Sequence, residues 1–159
     1  MDIATNRTGK RHHCGRLLAL AGVLCALAPA LAEAAERTAT IRLGDREIKG
    51  ARVPMKDVAG WKVTDLGSHR PTQLPVADIA RIQALRMSGS CQITFGRVEL
   101  AGGETVEIRA NLRDIFDIPS HAITVTVPDP RSGLPVEESF PCDRWSQMDF
   151  DPPGPGAAR

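Results

Sequence analysis

Hydrophobic and polar positions alternate over several short runs of the chain, and turn-forming residues separate the runs. From Ala39 to Arg46 the order is A-T-I-R-L-G-D-R, with Ile41 and Leu43 alternating with Thr40 and Arg42, the period of a strand. Gly44-Asp45 marks a turn, and Glu47-Ile48-Lys49 returns as a partner strand before Gly50. A second hairpin is better marked. Val98-Glu99-Leu100 alternates, Ala101-Gly102-Gly103 turns, and Val106 to Ala110 alternates back. Gly-Gly supplies the positive φ angles of a tight hairpin. Val98, Leu100, Val106 and Ile108 are expected to point inward, with Glu99, Glu107 and Arg109 outward. Upstream, Cys91, Ile93 and Phe95 hold odd positions whereas Val98 and Leu100 hold even ones, so a bulge or bend is expected at Gly96-Arg97. Ile123, Val125 and Val127 alternate with threonines and give the clearest strand of the chain.

The segment Asp78–Arg86 reads two ways. Ile79, Ile82 and Leu85 suit a short helix capped by Asp78, and equally a strand with an irregular start. An internal echo bears on the choice. Residues 53–63 (VPMKDVAGWKV) align with 74–84 (LPVADIARIQA), sharing Pro, Asp and Ala. Gly60 and the β-rich Trp61-Lys62-Val63 disfavour helix in the first copy, so a turn followed by a strand is expected in both. One echo is too little for a solenoid. After Val127 the composition shifts to proline, which cannot donate to a sheet ladder, so extended coil is expected with one short strand around Val136–Phe140. The fold expectation is therefore mainly β: a small antiparallel β-sandwich or partly open barrel, with at most one short helix and a Pro-rich C-terminal tail. Strand residues should outnumber helical ones by at least about two to one.

Composition narrows the function classes. The chain has 159 residues, a net charge of +1, 42% hydrophobic and 25% charged residues, ordinary values for one soluble domain. Aromatic residues are 4%, with no tyrosine, which disfavours a stacking platform for single-stranded nucleic acid. The near-neutral balance disfavours a dedicated nucleic-acid binder.

The first 35 residues read as an address. Arg7, Lys10, Arg11 and Arg16 precede an apolar run from Leu17 to Ala28, and Pro29 and the small-residue string Ala30 to Ala35 follow. That order is a secretory signal peptide, with cleavage expected after Ala32 or Ala34. The apolar stretch falls short of the roughly 20 residues that span a bilayer, and Pro29 interrupts it, so no transmembrane segment is expected after cleavage. The expected organisation is a signal peptide over 1–34, a single β-rich domain over 35–150 and a disordered tail over 151–159. Removal of 1–34 leaves 16 basic and 17 acidic residues, two cysteines (Cys91, Cys142) and two histidines (His69, His121).

In an oxidising compartment two cysteines pair, so a disulfide between Cys91 and Cys142 is expected. It would pin the proline-rich segment onto the strand that starts at Cys91. A zinc site needs about four ligands in close-spaced pairs; His69 and His121 stand far apart in sequence, and no metal or other cofactor is expected. Ser68-His69 and Ser120-His121 are adjacent pairs, but a Ser–His couple is assembled in space; Asp114 and Asp117 could serve as paired carboxylates, set against the turn-like I-F-D-I-P context of Asp117. Arg81, Arg86, Arg97, Arg109 and Arg113 cluster in the middle of the chain. They form a candidate patch for an anionic ligand, set against a mixed, solvated surface because Glu99, Glu104, Glu107 and Asp114 are interleaved with them. Arg131, Ser132, Gly133 and Leu134 lie inside the disulfide-closed loop, as a reactive loop would.

The leading expectation is thus an extracytoplasmic, periplasmic or secreted, non-enzymatic binding module. Its partner would be another envelope or extracellular protein or an anionic surface. An inhibitor or immunity-type protein acting on an envelope protease or toxin is the alternative, and a small hydrolase the second alternative.

Overall fold

The computed structural model describes residues 36–152. The expected signal peptide over 1–34 and residues 153–159 of the expected tail lie outside the described residues. Ten antiparallel strands follow one another: β1 (Glu36–Leu43), β2 (Arg46–Pro54), β3 (Gly60–Asp65), β4 (Arg70–Pro75), β5 (Ile79–Ser88), β6 (Gln92–Leu100), β7 (Thr105–Asn111), β8 (Ala122–Pro128), β9 (Pro135–Pro141) and β10 (Gln147–Phe150). They form one open sheet in the order β4-β3-β7-β6-β5-β10-β1-β2-β8-β9. Strands hold 64% of the described residues, and three single 3₁₀ turns hold 8%, as the alternation demands.

One hydrophobic cluster draws on every strand of this sheet, from Leu74 in β4 to Phe140 in β9. Among the described residues no α-helix covers it, and the sheet buries its apolar face against itself and its loops. Bulges bend the strands, because an extra residue kinks a strand and raises its twist. In β1–β2 the register shifts between Ala39 and Ile41, opposite Gly50 with φ +66°. Only glycine adopts that angle without strain. β2 therefore does not stop before Gly50, as its sequence suggested, but passes through it to Pro54.

Three further shifts lie in β5–β6, and the one between β6 and β7 falls between Ile93 and Gly96. The irregularity expected at Gly96-Arg97 is thus real, but it ends at Gly96. A Cβ on Gly96 would stand 2.6 Å from the Gln83 carbonyl oxygen and 2.7 Å from Ile93 Cγ2, so close approach, not φ, requires glycine there. The Phe116 and Phe150 rings stack 6.3 Å apart, and the half-buried Arg37 guanidinium lies 4.4 Å over Phe150. Burial lowers the Arg37 pKa, and its NH1 donates to Val76 O at 3.0 Å.

The ambiguous segment is a 3₁₀ turn, Val76–Asp78, followed by strand β5, so Asp78 caps no α-helix. The two echo copies share the outline of this course, although only the second has a 3₁₀ turn. Pro54 ends β2 and Pro75 ends β4, a buried residue follows each (Met55, Val76), and the next strand buries Trp61 or Ile82 at the matching place. The proline-rich region carries two strands where one was expected. β10 has four residues, yet it sits inside the sheet between β5 and β1. Cys91, in the β5–β6 turn, and Cys142, at the start of the 3₁₀ turn before β10, form the expected disulfide with Cα atoms 5.1 Å apart. Both are buried.

Candidate functional site

The five arginines read together from sequence have different partners in the fold. Arg81, in β5, sits between Glu99 on β6 and Asp149 on β10, its direct ladder neighbours. Its NH1 reaches Glu99 at 2.9 Å and its Nε bonds Asp149; that second bond leads the causes that raise its pKa. Gln147, the one buried polar residue among those described, accepts from Gln83 at 3.1 Å and donates to Asp149 at 2.6 Å, extending the same polar ladder. Arg97 pairs with Glu107 at 3.1 Å. Arg113 is a loop staple: its NH1 donates to Ile118 O at 2.9 Å, and its NH2 bonds Ser120 O and lies 3.3 Å from His121 Nδ1. Arg86 is exposed in β5, opposite Phe95. Three of the five, Arg81, Arg97 and Arg113, thus have side-chain or backbone partners within the fold.

Arg109 differs. It lies on the outer face of β7, directly opposite Thr64 of β3. Lys62, two residues before Thr64, shares that face and pairs with Gln73 of β4, while Asn111 of β7 pairs with Gln92 of β6. The four strands thereby line a shallow groove of about 270 Å³ with Lys62, Thr64, Pro71, Gln92, Arg109 and Asn111. No carboxylate pairs with Lys62 or Arg109 among the described residues. The nearest acid along β7, Glu107, is held by Arg97. Asn111 is fixed from both sides: its side chain accepts from Arg113 N at 3.0 Å, and its carbonyl accepts from Trp61 Nε1 at 3.0 Å. Two unneutralised cations beside neutral hydrogen-bonding side chains suit an anionic group. Lys62, Gln92 and Asn111 were not read as site residues. The outward place of Lys62 between Trp61 and Val63 was visible, but the β3–β7 pairing that sets it beside Arg109 was not.

The remaining candidates fall in turns. Ser68 donates to Asp65 Oδ2 at 2.6 Å in the β3–β4 turn, and that bond leads the causes that lower the Asp65 pKa; His69 beside it has φ 57°. Ser120 Oγ accepts from Ala122 N at 3.3 Å, and Asp114 and Asp117 are exposed. Arg131, Ser132, Gly133 and Leu134 form the β8–β9 hairpin turn. Asp129 Oδ1 accepts from Ser132 N (2.7 Å), Arg131 N (2.9 Å) and Ser132 Oγ (2.9 Å), and these bonds, with the Ser132 amide first, hold its pKa low. Gly133 N closes back on Asp129 O at 2.8 Å. These bonds fold the turn back on itself. Among the described residues no group of three or more His, Cys, Asp or Glu is placed to hold a metal ion, and no helix is long and apolar enough to cross a membrane.

No family model, no curated protein and no solved structure matches the chain.

Proposed function

We propose that this chain is an extracytoplasmic, non-enzymatic binding module whose Lys62–Arg109 groove takes an anionic group. The groove carries the reading: two cations from adjacent strands, neither neutralised by a carboxylate among the described residues, face one depression with Thr64, Gln92 and Asn111. The N-terminal address and the buried Cys91–Cys142 disulfide support the compartment, because such bonds persist in oxidising surroundings.

The test uses the exported protein, recovered with an N-terminus at Glu33 or Ala35. Its amide spectrum is titrated with inorganic sulfate and with a sulfated oligosaccharide. Lys62, Thr64, Gln92, Arg109 and Asn111 should shift together, and less as salt rises, since the site is exposed. Lys62→Glu with Arg109→Glu should weaken binding by about tenfold or more, equivalent to about 1.4 kcal/mol, with the fold unchanged. Shifts spread evenly over all exposed cations, or binding indifferent to the double variant, would remove the groove from consideration.

A further inference from the structure

An open sheet has two free edges, and each is a template for another strand. Among the described residues the edges are β4 and β9. Hydrogen bonds at the ends of each hairpin fix which residues turn their backbone groups outward. In β8–β9, Asp129 N donates to Leu134 O at 2.8 Å and Cys142 N to His121 O at 3.0 Å. Antiparallel ladders alternate bonded with non-bonded pairs. Val127–Val136, Val125–Glu138 and Ile123–Phe140 are therefore the bonded pairs, and Pro135, Glu137, Ser139 and Pro141 face outward. In β3–β4, Val76 N donates to Ala59 O at 3.1 Å. The same alternation makes Trp61–Leu74, Val63–Thr72 and Asp65–Arg70 the bonded pairs and turns Pro71, Gln73 and Pro75 outward. Four of these seven outward positions are proline, which has no N–H to offer. β4 keeps one outward donor, Gln73, and β9 keeps two, Glu137 and Ser139.

We propose that Pro71, Pro75, Pro135 and Pro141 close both edges to strand addition, whether by a second copy of this chain or by an extended peptide, so that partners meet this domain through side chains on its faces. A strand laid against β4 or β9 meets a proline ring at both ends of the run. It can form one bonded pair on β4 and two on β9, too little for a stable strand pair. The guard stands where it is most needed. Leu134 and Val136 are 65% and 42% exposed at the head of β9, and Pro135 lies between them. Exposed apolar residues on an unguarded edge are an association hazard. Glu137 adds a like charge that a second β9 would have to approach, whereas Glu138 is paired with Arg46.

The test compares the mature, disulfide-bonded protein with Pro135→Thr/Pro141→Thr and with Pro71→Thr/Pro75→Thr by sedimentation velocity and circular dichroism. The parent should remain monomeric at concentrations where the variants associate and gain strand signal. Folded variants that stay monomeric would overturn the proposal. So would a parent whose Glu137 and Ser139 amides become protected from exchange as concentration rises. A second pair of variants keeps the test open if the double variants misfold. Glu137→Pro fills an outward position and should melt within a few degrees of the parent. Val136→Pro removes an N–H bonded within the hairpin and should melt far lower. Equal losses from the two would show that the outward positions are wrongly assigned.

Discussion

Removing the Cys91–Cys142 bond should lower the melting temperature by an amount that the loop length sets. The bond closes a separation of 51 residues. In the chain-entropy treatment, releasing such a loop in the unfolded state costs about 4 kcal/mol of stability. A domain of about 120 residues unfolds with an entropy of about 0.25 kcal/mol/K, so the expected fall is about 16 °C. Cys91→Ala/Cys142→Ala is the suitable variant, because serine would bury hydroxyls at two sites that exclude water. Scanning calorimetry of the variant should agree with calorimetry of the reduced parent. Loss should appear first at β10, which has only four residues and enters the sheet directly after Cys142 and its 3₁₀ turn. Amide exchange at Met148 and Asp149 should therefore rise before exchange at Val98 or Ile108. A fall of less than about 5 °C would mean that the unfolded chain is already restricted, and the loop argument would fail.

Two further outcomes follow from local geometry. Gly96→Ala places a methyl group 2.6 Å from the Gln83 carbonyl oxygen, so β5 and β6 must part; chemical denaturation should show a loss of about 1–3 kcal/mol, and a neutral result would refute the close approach. The Asp129 carboxylate is held below its ordinary range by the Ser132 amide and hydroxyl and the Arg131 amide, so its support for the β8–β9 turn is full above pH about 4 and is lost as pH falls through the lowered value. Amide exchange at Arg131 and Ser132 should rise in that acid window for the parent and show no such step for Asp129→Asn; an Asp129 that titrates at or above the ordinary carboxylate value would refute the bracing.

What the sequence reveals of this fold is what alternation encodes. β1–β2, β6–β7 and β8 are all legible, because β-branched residues at period two leave one face buried: Ile123 and Val125 are 1% exposed, and Val98 and Ile108 are fully buried. β10 was not legible. Its four residues are Gln-Met-Asp-Phe, with no β-branched residue and charged or amide side chains at alternate places. It is a strand because β5 and β1 supply ladders on both sides and because Gln147 and Asp149 find partners in Gln83 and Arg81. Tertiary context overrides a weak local preference there. The passage of β2 through Gly50 has the same character. A glycine reads as a stop, and only the partner strand turns it into a bulge.

The arginine patch shows why sites on sheets are harder to read than strands. Neighbours along one strand alternate faces, so sequence proximity says little about who meets whom. The meeting is decided across the ladder, where Arg81 finds Glu99 and Asp149 from 18 and 68 residues away, and Arg97 finds Glu107 from 10. The interleaved glutamates were the useful signal, since Glu99 and Glu107 both neutralise arginines. The same rule explains what was missed. Lys62 and Arg109 lie 47 positions apart in sequence and become neighbours only because β7 returns beside β3 and not β4. Had β7 paired with another strand, Arg109 would face other residues and Lys62 would be one more solvated lysine. The groove is thus a property of strand order. On the proposed reading, a change that leaves both cations in place but disrupts the β3–β7 ladder should weaken sulfate binding, read by the same amide titration, as much as reversing their charges.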